Sequence, residues 1–260
     1  ARVEIKGDSV IVDYEGTCEQ VKSNVNCPYA STIAAGLSCV KSVLTSPDIP
    51  FNEGSKRPIE VRAPYGSLLN PRRPAPVRAR MLSAYRAYNA VMKALAPSAP
   101  EKVIAAGFDT TEIIVLSQLK QDGYAIYLEI LGGGYGASSH GDGCDAVDSP
   151  LSNCSNVPVE AMDMEYDYFR VEDYSLIPDS GGTGRYRGGL GFQRRYHILA
   201  DNVTFATYSD RFRLAPEGLF GGADGVCAST KVLRGDQVIE LASKVSFPLQ
   251  KGDILVAQTG

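Results

Sequence analysis

Most side chains that could act chemically fall in glycine-rich stretches. The first is Gly132-Gly133-Gly134-Tyr135-Gly136, directly after the apolar run Ala125–Leu131. Consecutive glycines permit positive φ and let the backbone approach a ligand closely, and successive bare amides can cradle an anion. A nucleotide phosphate loop also needs a helix start with Lys-Ser/Thr behind it. Here Ala137-Ser138-Ser139-His140 follows, so neither a Walker loop nor a dinucleotide fingerprint is formed. The simpler alternative is a turn or a close crossing of strands.

The second stretch, His140 to Asn156, reads HGDGCDAVDSPLSNCSN. Asp142, Asp145 and Asp148 recur every third residue and could meet a hard cation, although the alternate-position ligands of a calcium loop are absent. A solvated loop with Asx turns is the alternative. The third stretch, Pro178–Gly191, carries Arg185 and Arg187 around Tyr186. In a strand both guanidiniums would share one face and could hold a carboxylate or phosphate bidentately. An ion pair to Asp179 or Glu172 is the competing expectation. The candidate catalytic residues are therefore Asp142, Asp145 and His140, and the two aspartates would orient substrate or water. The candidate substrate-binding residues are Gly132, Gly133, Gly134, Tyr135, Arg185 and Arg187. A fourth stretch, Pro216–Gly222, reads as a structured turn joining sheet layers.

Other chemistries are excluded. The only histidines are His140 and His197, so a His-rich hydrolytic zinc site cannot be assembled from this chain. There is no G-x-S-x-G nucleophile elbow. The six cysteines include no CxxC pair, which removes a zinc ribbon. Reduced thiols are expected, because the first residues show no export signal.

These loops need elements to hold them. Val10–Tyr14 reads as a strand and Ala30–Leu44 as a helix, opened by Pro28 with Asn26 as its cap. A strand at Ile59–Ala63 follows, then a helix at Met81–Ala96 with a Met/Tyr stripe that reads as core. After residue 100 strands dominate: Ile113–Gln118, Ala125–Leu131, Phe169–Leu176, Gly191–Ile198, Val203–Tyr208, Ser229–Arg234, Gln237–Leu241 and Asp253–Gln258. Gly235-Asp236 is a hairpin signal. No βαβ alternation occurs there, which disfavours a doubly wound nucleotide fold. The fold class is α+β, with strand-dominated mixed sheets and two principal helices in the first 100 residues, at about 28–44 and 79–96.

The chain has 260 residues, with Lys+Arg 26 against Asp+Glu 30. That balance leaves no electrostatic footprint for nucleic acid. No apolar run approaches the ~20 residues of a membrane helix, so a cytoplasmic protein is expected. Glycine is the outlier at 26 residues, clustered rather than scattered. The sequence starts within a strand-like segment and stops after the apolar run Ile254–Ala257, so a piece of a larger assembly is expected.

Several segments resemble the hydantoinase B/oxoprolinase family. They are Asp13-Tyr14-Glu15-Gly16-Thr17, Asn24-Val25-Asn26-Cys27-Pro28, Gly66-Ser67-Leu68-Leu69-Asn70-Pro71, Gly132–Gly136, Asn156-Val157-Pro158-Val159-Glu160, Asp179–Gly191 and Gly218–Gly222. The run D-S-G-G-x-G-x-x-R-G-G-x-G at Asp179–Gly191 is the most specific of them. The resemblance implies that residues 1–260 are the C-terminal portion of a hydantoinase B-type subunit, helix-containing over 1–100 and strand-rich over 101–260. It implies a hydrolase of cyclic-amide C–N bonds working with an ATP-hydrolysing A-type subunit. ATP would activate the substrate oxygen as a phosphoester, and the B-type subunit would complete ring opening. The family's His and Asp metal ligands belong to the N-terminal half, so a divalent metal (Zn, Mn or Mg) is expected there and none in this chain. Two alternatives stay open: a subunit of an ATP-dependent acetone or acetophenone carboxylase, and a non-catalytic scaffold lacking the metal-binding half. In 5-oxoprolinase-like members the loop here carries T-H-M-[TS]-N. This chain has Asp148-Ser149-Pro150-Leu151-Ser152-Asn153, with Asp148 and Pro150 at the histidine positions, which points to the hydantoinase B type.

Overall fold

A computed structural model describes all 260 residues. The chain divides into two units, Ala1–Ala105 with Ser138–His140, and Ala106–Ala137 with Gly141–Gly260.

The first unit begins with a hairpin of β1 (Arg2–Lys6) and β2 (Ser9–Asp13), turned at Gly7 with φ 59°. The chain then enters α1 (Tyr29–Leu44), passes a short α2 (Glu53–Lys56), and returns as β3 (Ile59–Arg62), which pairs parallel to β2. This is a βαβ crossover closing a three-stranded sheet in the order β1-β2-β3. The helix α3 (Arg80–Leu95) packs on α1 and buries Tyr85, Val91 and Leu95. The expected cap of α1 is corrected. Pro28 occupies the N-cap without a side-chain hydrogen bond, and Asn26 is fully buried instead. Its amide accepts from the Val21 N–H at 2.8 Å and donates to the carbonyls of Val21, Ser23 and Pro76 at 2.8, 2.9 and 3.0 Å. Asn26 therefore pins a loop; a side chain that satisfies three backbone carbonyls is not available to a helix start.

The second unit is a sandwich of two antiparallel sheets. Its strands are β4 (Glu112–Lys120), β5 (Gly123–Leu131), β6 (Phe169–Leu176), β7 (Phe192–Ile198), β8 (Val203–Tyr208), β9 (Ser229–Arg234), β10 (Gln237–Leu241), β11 (Lys244–Leu249) and β12 (Ile254–Gln258). One sheet runs β11-β8-β4-β5 and the other β10-β9-β12-β7-β6. Most strands alternate, and together with the central strand β12, whose Leu255, Val256 and Ala257 are all buried, they send residues such as Ile114, Leu116, Phe205, Tyr196, Val232 and Leu255 into one shared apolar core. That period-2 pattern is why the strands are readable from sequence. Two elements of this unit lie outside the sequence expectation. β11 contains Pro248, which is tolerated because β11 is an edge strand. The helix α4 (Val159–Glu165) follows Pro158 and buries only Met162, so it shows no helical stripe.

One ion pair lies wholly inside the sandwich. Arg194 of β7 meets Glu129 of β5, and both side chains are essentially without solvent exposure. The Tyr127 hydroxyl also donates to Glu129, and the Val157 N–H reaches its other oxygen at 2.9 Å. The Arg194 guanidinium lies over the Tyr174 ring at 4.2 Å. The pair links the two sheets and fixes the end of the 141–157 loop.

Replacing Arg194 with Met should strand the Glu129 charge and cost about 3–5 kcal/mol. The double variant Glu129→Leu/Arg194→Met should recover most of that loss. Urea unfolding at neutral pH measures both; a single-variant loss below about 1 kcal/mol would show that the pair does not hold the sheets.

Candidate functional site

The glycine-rich segments meet at one end of the sandwich. The Gly132–Gly136 run leaves β5 and crosses two other loops. The Gly133 N–H donates to the Val147 carbonyl at 2.9 Å, the Gly134 N–H to the Gly260 carbonyl at 2.9 Å, and the Tyr135 N–H to the Cys144 carbonyl at 3.0 Å. The Gly189 N–H donates in turn to the Tyr135 carbonyl at 2.8 Å. These amides are all engaged by protein backbone, so they do not form an anion cradle. The glycines serve close approach: a Cβ on Gly134 would overlap the Gly189 carbonyl, and one on Gly189 would overlap the Cys144 carbonyl.

Three of the charged candidates come together. Arg187 holds Asp145 bidentately, Nη1 to Oδ1 at 2.7 Å and Nη2 to Oδ2 at 3.1 Å. The Leu190 N–H adds a bond to Asp145 at 2.8 Å. Asp142 accepts from the Arg187 backbone N–H at 2.9 Å and lies 3.9 Å from its guanidinium. The hydrogen bonds from Arg187, with that from Leu190, hold the Asp145 carboxyl below the usual carboxylate range. The arginine of the glycine signature is thus the lock between the 141–157 and 178–191 loops. Its partners are Asp145 and Asp142, not the expected Asp179 or Glu172. The expected strand geometry is also corrected: residues 179–191 are irregular, because the glycine crossings here use backbone groups that a sheet ladder would need.

The other candidates are placed apart. Arg185 is exposed, stacks over Tyr186 at 5.4 Å and makes no ion pair. His140 is exposed and belongs to the first unit, where its N–H donates to Ser138 Oγ at 3.2 Å. Tyr135 is half-buried, and burial, with Asp109 and Cys144 nearby, pushes its hydroxyl up to about 12.

A cleft of about 230 Å³ opens beside the crossing, lined by Ile130, Gly132, Ala146, Val147, Asp148, Cys154, Ser155 and Asn156. Asp148 shapes it by accepting from the Ser149 and Cys154 N–H groups at 2.8 and 2.6 Å. Sequence reasoning singles out Gly132 but not the wall formed by Ile130, Val147 and Asn156. Only folding brings the strand end and the loop together.

A second feature escapes the sequence. Glu112 at the start of β4 is fully buried and carries one hydrogen bond, from Thr230 Oγ1 at 3.1 Å. Its other oxygen has no partner. Burial drives its pKa up to about 8. It gives no signal because a glutamate beside a strand reads as a solvent-facing residue.

No group of three or more His, Cys, Asp and Glu side chains could hold a metal ion. Asp142 and Asp145 already face Arg187, and the glycine amides already face carbonyls. These residues fit neither a resident metal nor a nucleotide phosphate. No helix is long and apolar enough to cross a membrane.

The fold and its loops define an α+β chain whose glycine signature packs backbone on backbone. It belongs to the hydantoinase B/oxoprolinase family, whose sequence profile matches residues 1–260. An uncharacterized protein of Methanocaldococcus jannaschii is 34% identical over 259 residues, covering 99% of this chain and 45% of that protein. The provisionally assigned B-type subunit of a D-/L-hydantoinase from Pseudomonas sp. (strain NS671) is 33% identical, covering 94% and 42%. The chain therefore spans less than half the length of these curated relatives. Among solved structures, the ATP-dependent caprolactamase of Pseudomonas jessenii superposes with TM-score 0.83 at 23% identity, over 99% of this chain and 46% of that one. A nucleotide-free acetone carboxylase gives TM-score 0.84 at 18% identity, over 99% and 40%. At these identities the two structures establish the fold.

Two outcomes follow. Gly134→Ala should lower stability by about 1–3 kcal/mol, whereas a loop open to ligand would accept the methyl group; thermal denaturation decides. Glu112 keeps its proton in the folded state after the unfolded chain has lost it. Stability should therefore fall as pH rises from about 4.5 to about 8, by up to about 1.4 kcal/mol per pH unit. Glu112→Gln should flatten that slope, and an unchanged urea midpoint-against-pH profile would contradict it.

Proposed function

We propose that this chain is part of the B-type subunit of an ATP-dependent amidohydrolase that opens cyclic amides such as hydantoins. The observation that carries the reading is the family match across residues 1–260, supported by 33% identity to the B-type component of a hydantoinase over 94% of the chain. The partners are an ATP-hydrolysing A-type subunit and the N-terminal half of the B-type subunit, and the setting is cytoplasmic. ATP belongs to the A-type subunit, and any divalent metal belongs to the N-terminal half.

The chain's own contribution is a binding surface. The cleft is smaller than the roughly 300–1,000 Å³ typical of drug-sized ligands, which suits a single small ring. Gly132 lets the Val147–Asp148 backbone pack directly against the strand end, Ile130 and Val147 offer an apolar wall, and Asn156 offers an amide. Arg185 is an exposed cation without a carboxylate partner, suited to an anionic group on the substrate. Asp142, Asp145 and Arg187 hold the loops that shape this surface.

The test is ATP turnover by the assembled enzyme, with hydantoins in one arm and a ketone plus bicarbonate in the other. Hydantoin-dependent ATP hydrolysis with ring-opened product is expected. Arg185→Ala should raise KM for an anionic hydantoin about 3- to 10-fold, as a lost charge-assisted bond would, with kcat nearly unchanged. Bicarbonate-dependent turnover with ketones alone would replace this reading with a carboxylase. Absence of turnover with every substrate would leave a scaffold.

A further inference from the structure

The two outer faces of the sandwich differ in character. The β6–β7–β12–β9–β10 face carries Arg170, Glu172, Arg195, His197, Lys231 and Glu240, an ordinary solvated surface. The opposite face, on the sheet β11-β8-β4-β5, carries one outward charge, Lys244 on the far edge strand β11, and none on β8, β4 or β5. On it Leu119, Tyr124, Ile126 and Leu128 are 53%, 69%, 57% and 52% exposed. Register sets them side by side, Leu119 opposite Tyr124 and Leu128 opposite Val115. β5 is also the edge strand, so one line of backbone groups is open to pairing.

We propose that this face seats the portion of the family subunit that lies outside residues 1–260. The inference rests on the reading of the chain as part of a B-type subunit. Three observations favour that occupant. More than half of the relatives' length lies outside the match, so a large covering segment exists in them. Two nine-residue strands and a shorter one, each about 30 Å or less in length and ~4.8 Å apart, offer roughly 400 Å². That falls short of the ~800 Å² per partner of a stable free association, but suits a segment held by further contacts. The apolar row Tyr124-Ile126-Leu128 continues to Ile130, which lines the cleft. A segment seated on this face therefore also walls the cleft, and the binding surface is incomplete without it.

The experiment compares the 260-residue chain with its Ile126→Lys/Leu128→Lys variant. Each is studied alone and with the part of the M. jannaschii relative outside the match, supplied as a separate polypeptide. Readouts are amide exchange along β5, binding of a hydrophobic dye and sedimentation. The wild-type chain alone should bind dye and sediment as a monomer. Adding the M. jannaschii polypeptide should slow β5 exchange at least about tenfold and displace the dye. The double variant should show neither effect while keeping the wild-type circular dichroism; Tyr124→Lys, beside the turn, serves if the double variant does not fold. Unchanged exchange on addition overturns the proposal. So does a wild-type dimer dispersed by the variant, which would assign the face to a second copy. Protection without hydantoin opening, measured in the same mixture with the A-type subunit, would leave the docking intact and reject the functional reading alone.

Discussion

The buried pair of Glu129 and Arg194 is the constraint on which the second unit turns. Two charges removed from water are costly unless their geometry is close and further hydrogen bonds meet their remaining lone pairs and protons; of this pair, Arg194 Nε alone goes without a partner. Here that demand recruits the Tyr127 hydroxyl, the Val157 N–H and the Tyr174 ring face. Apolar packing already resists sliding of the two sheets, and the charge pair adds a second penalty of a different kind. Because the pair reaches from β5 to β7, a slip would leave a carboxylate in a dry core. The loop ending at Val157 inherits that register, and so does the cleft beside it.

Around this anchor the glycine signature acts through what it lacks. Gly134, Gly143 and Gly189 bring three backbones closer than any side chain would permit, and their amides and carbonyls answer one another. The arginine within the signature closes the same knot from outside, through Asp145. A sequence motif that suggests a ligand-binding loop is here mainly a packing device. Arg185, outside the knot, stays exposed over Tyr186.

Much of the architecture is legible in sequence because its strands alternate. Phe169–Leu176, Val203–Tyr208, Ser229–Arg234 and Gln237–Leu241 have the expected bounds. β11 escapes because Pro248 breaks the usual rule for strand interiors, and only the sheet order shows that the strand lies at an edge. Asn26 misleads because its type and position suit a helix cap, whereas its role depends on Pro76, fifty residues away. For the same reason Arg187 can be nominated but not paired: Asp145 is a neighbour only after the loops cross. Glu112 gives no signal, since the burial of a carboxyl is a property of the facing sheet. Partners distant along the chain lie beyond local pattern, and the candidate site is built almost entirely from them.

The position of β12 has a bearing on how the protein is made. Residues 254–258 do not extend an edge; they insert between β9 and β7, and Gly260 then receives the Gly134 N–H. During synthesis, therefore, the five-stranded sheet has an empty central lane until residues 254–258 leave the ribosome. Up to that moment β7 and β9 both present open edges to any passing strand. The first unit holds nearly all its segments by residue 105 and faces no such wait. The second must keep its half-built sheet from pairing wrongly, and its folding rate is bound to the slow closure of long-range contacts.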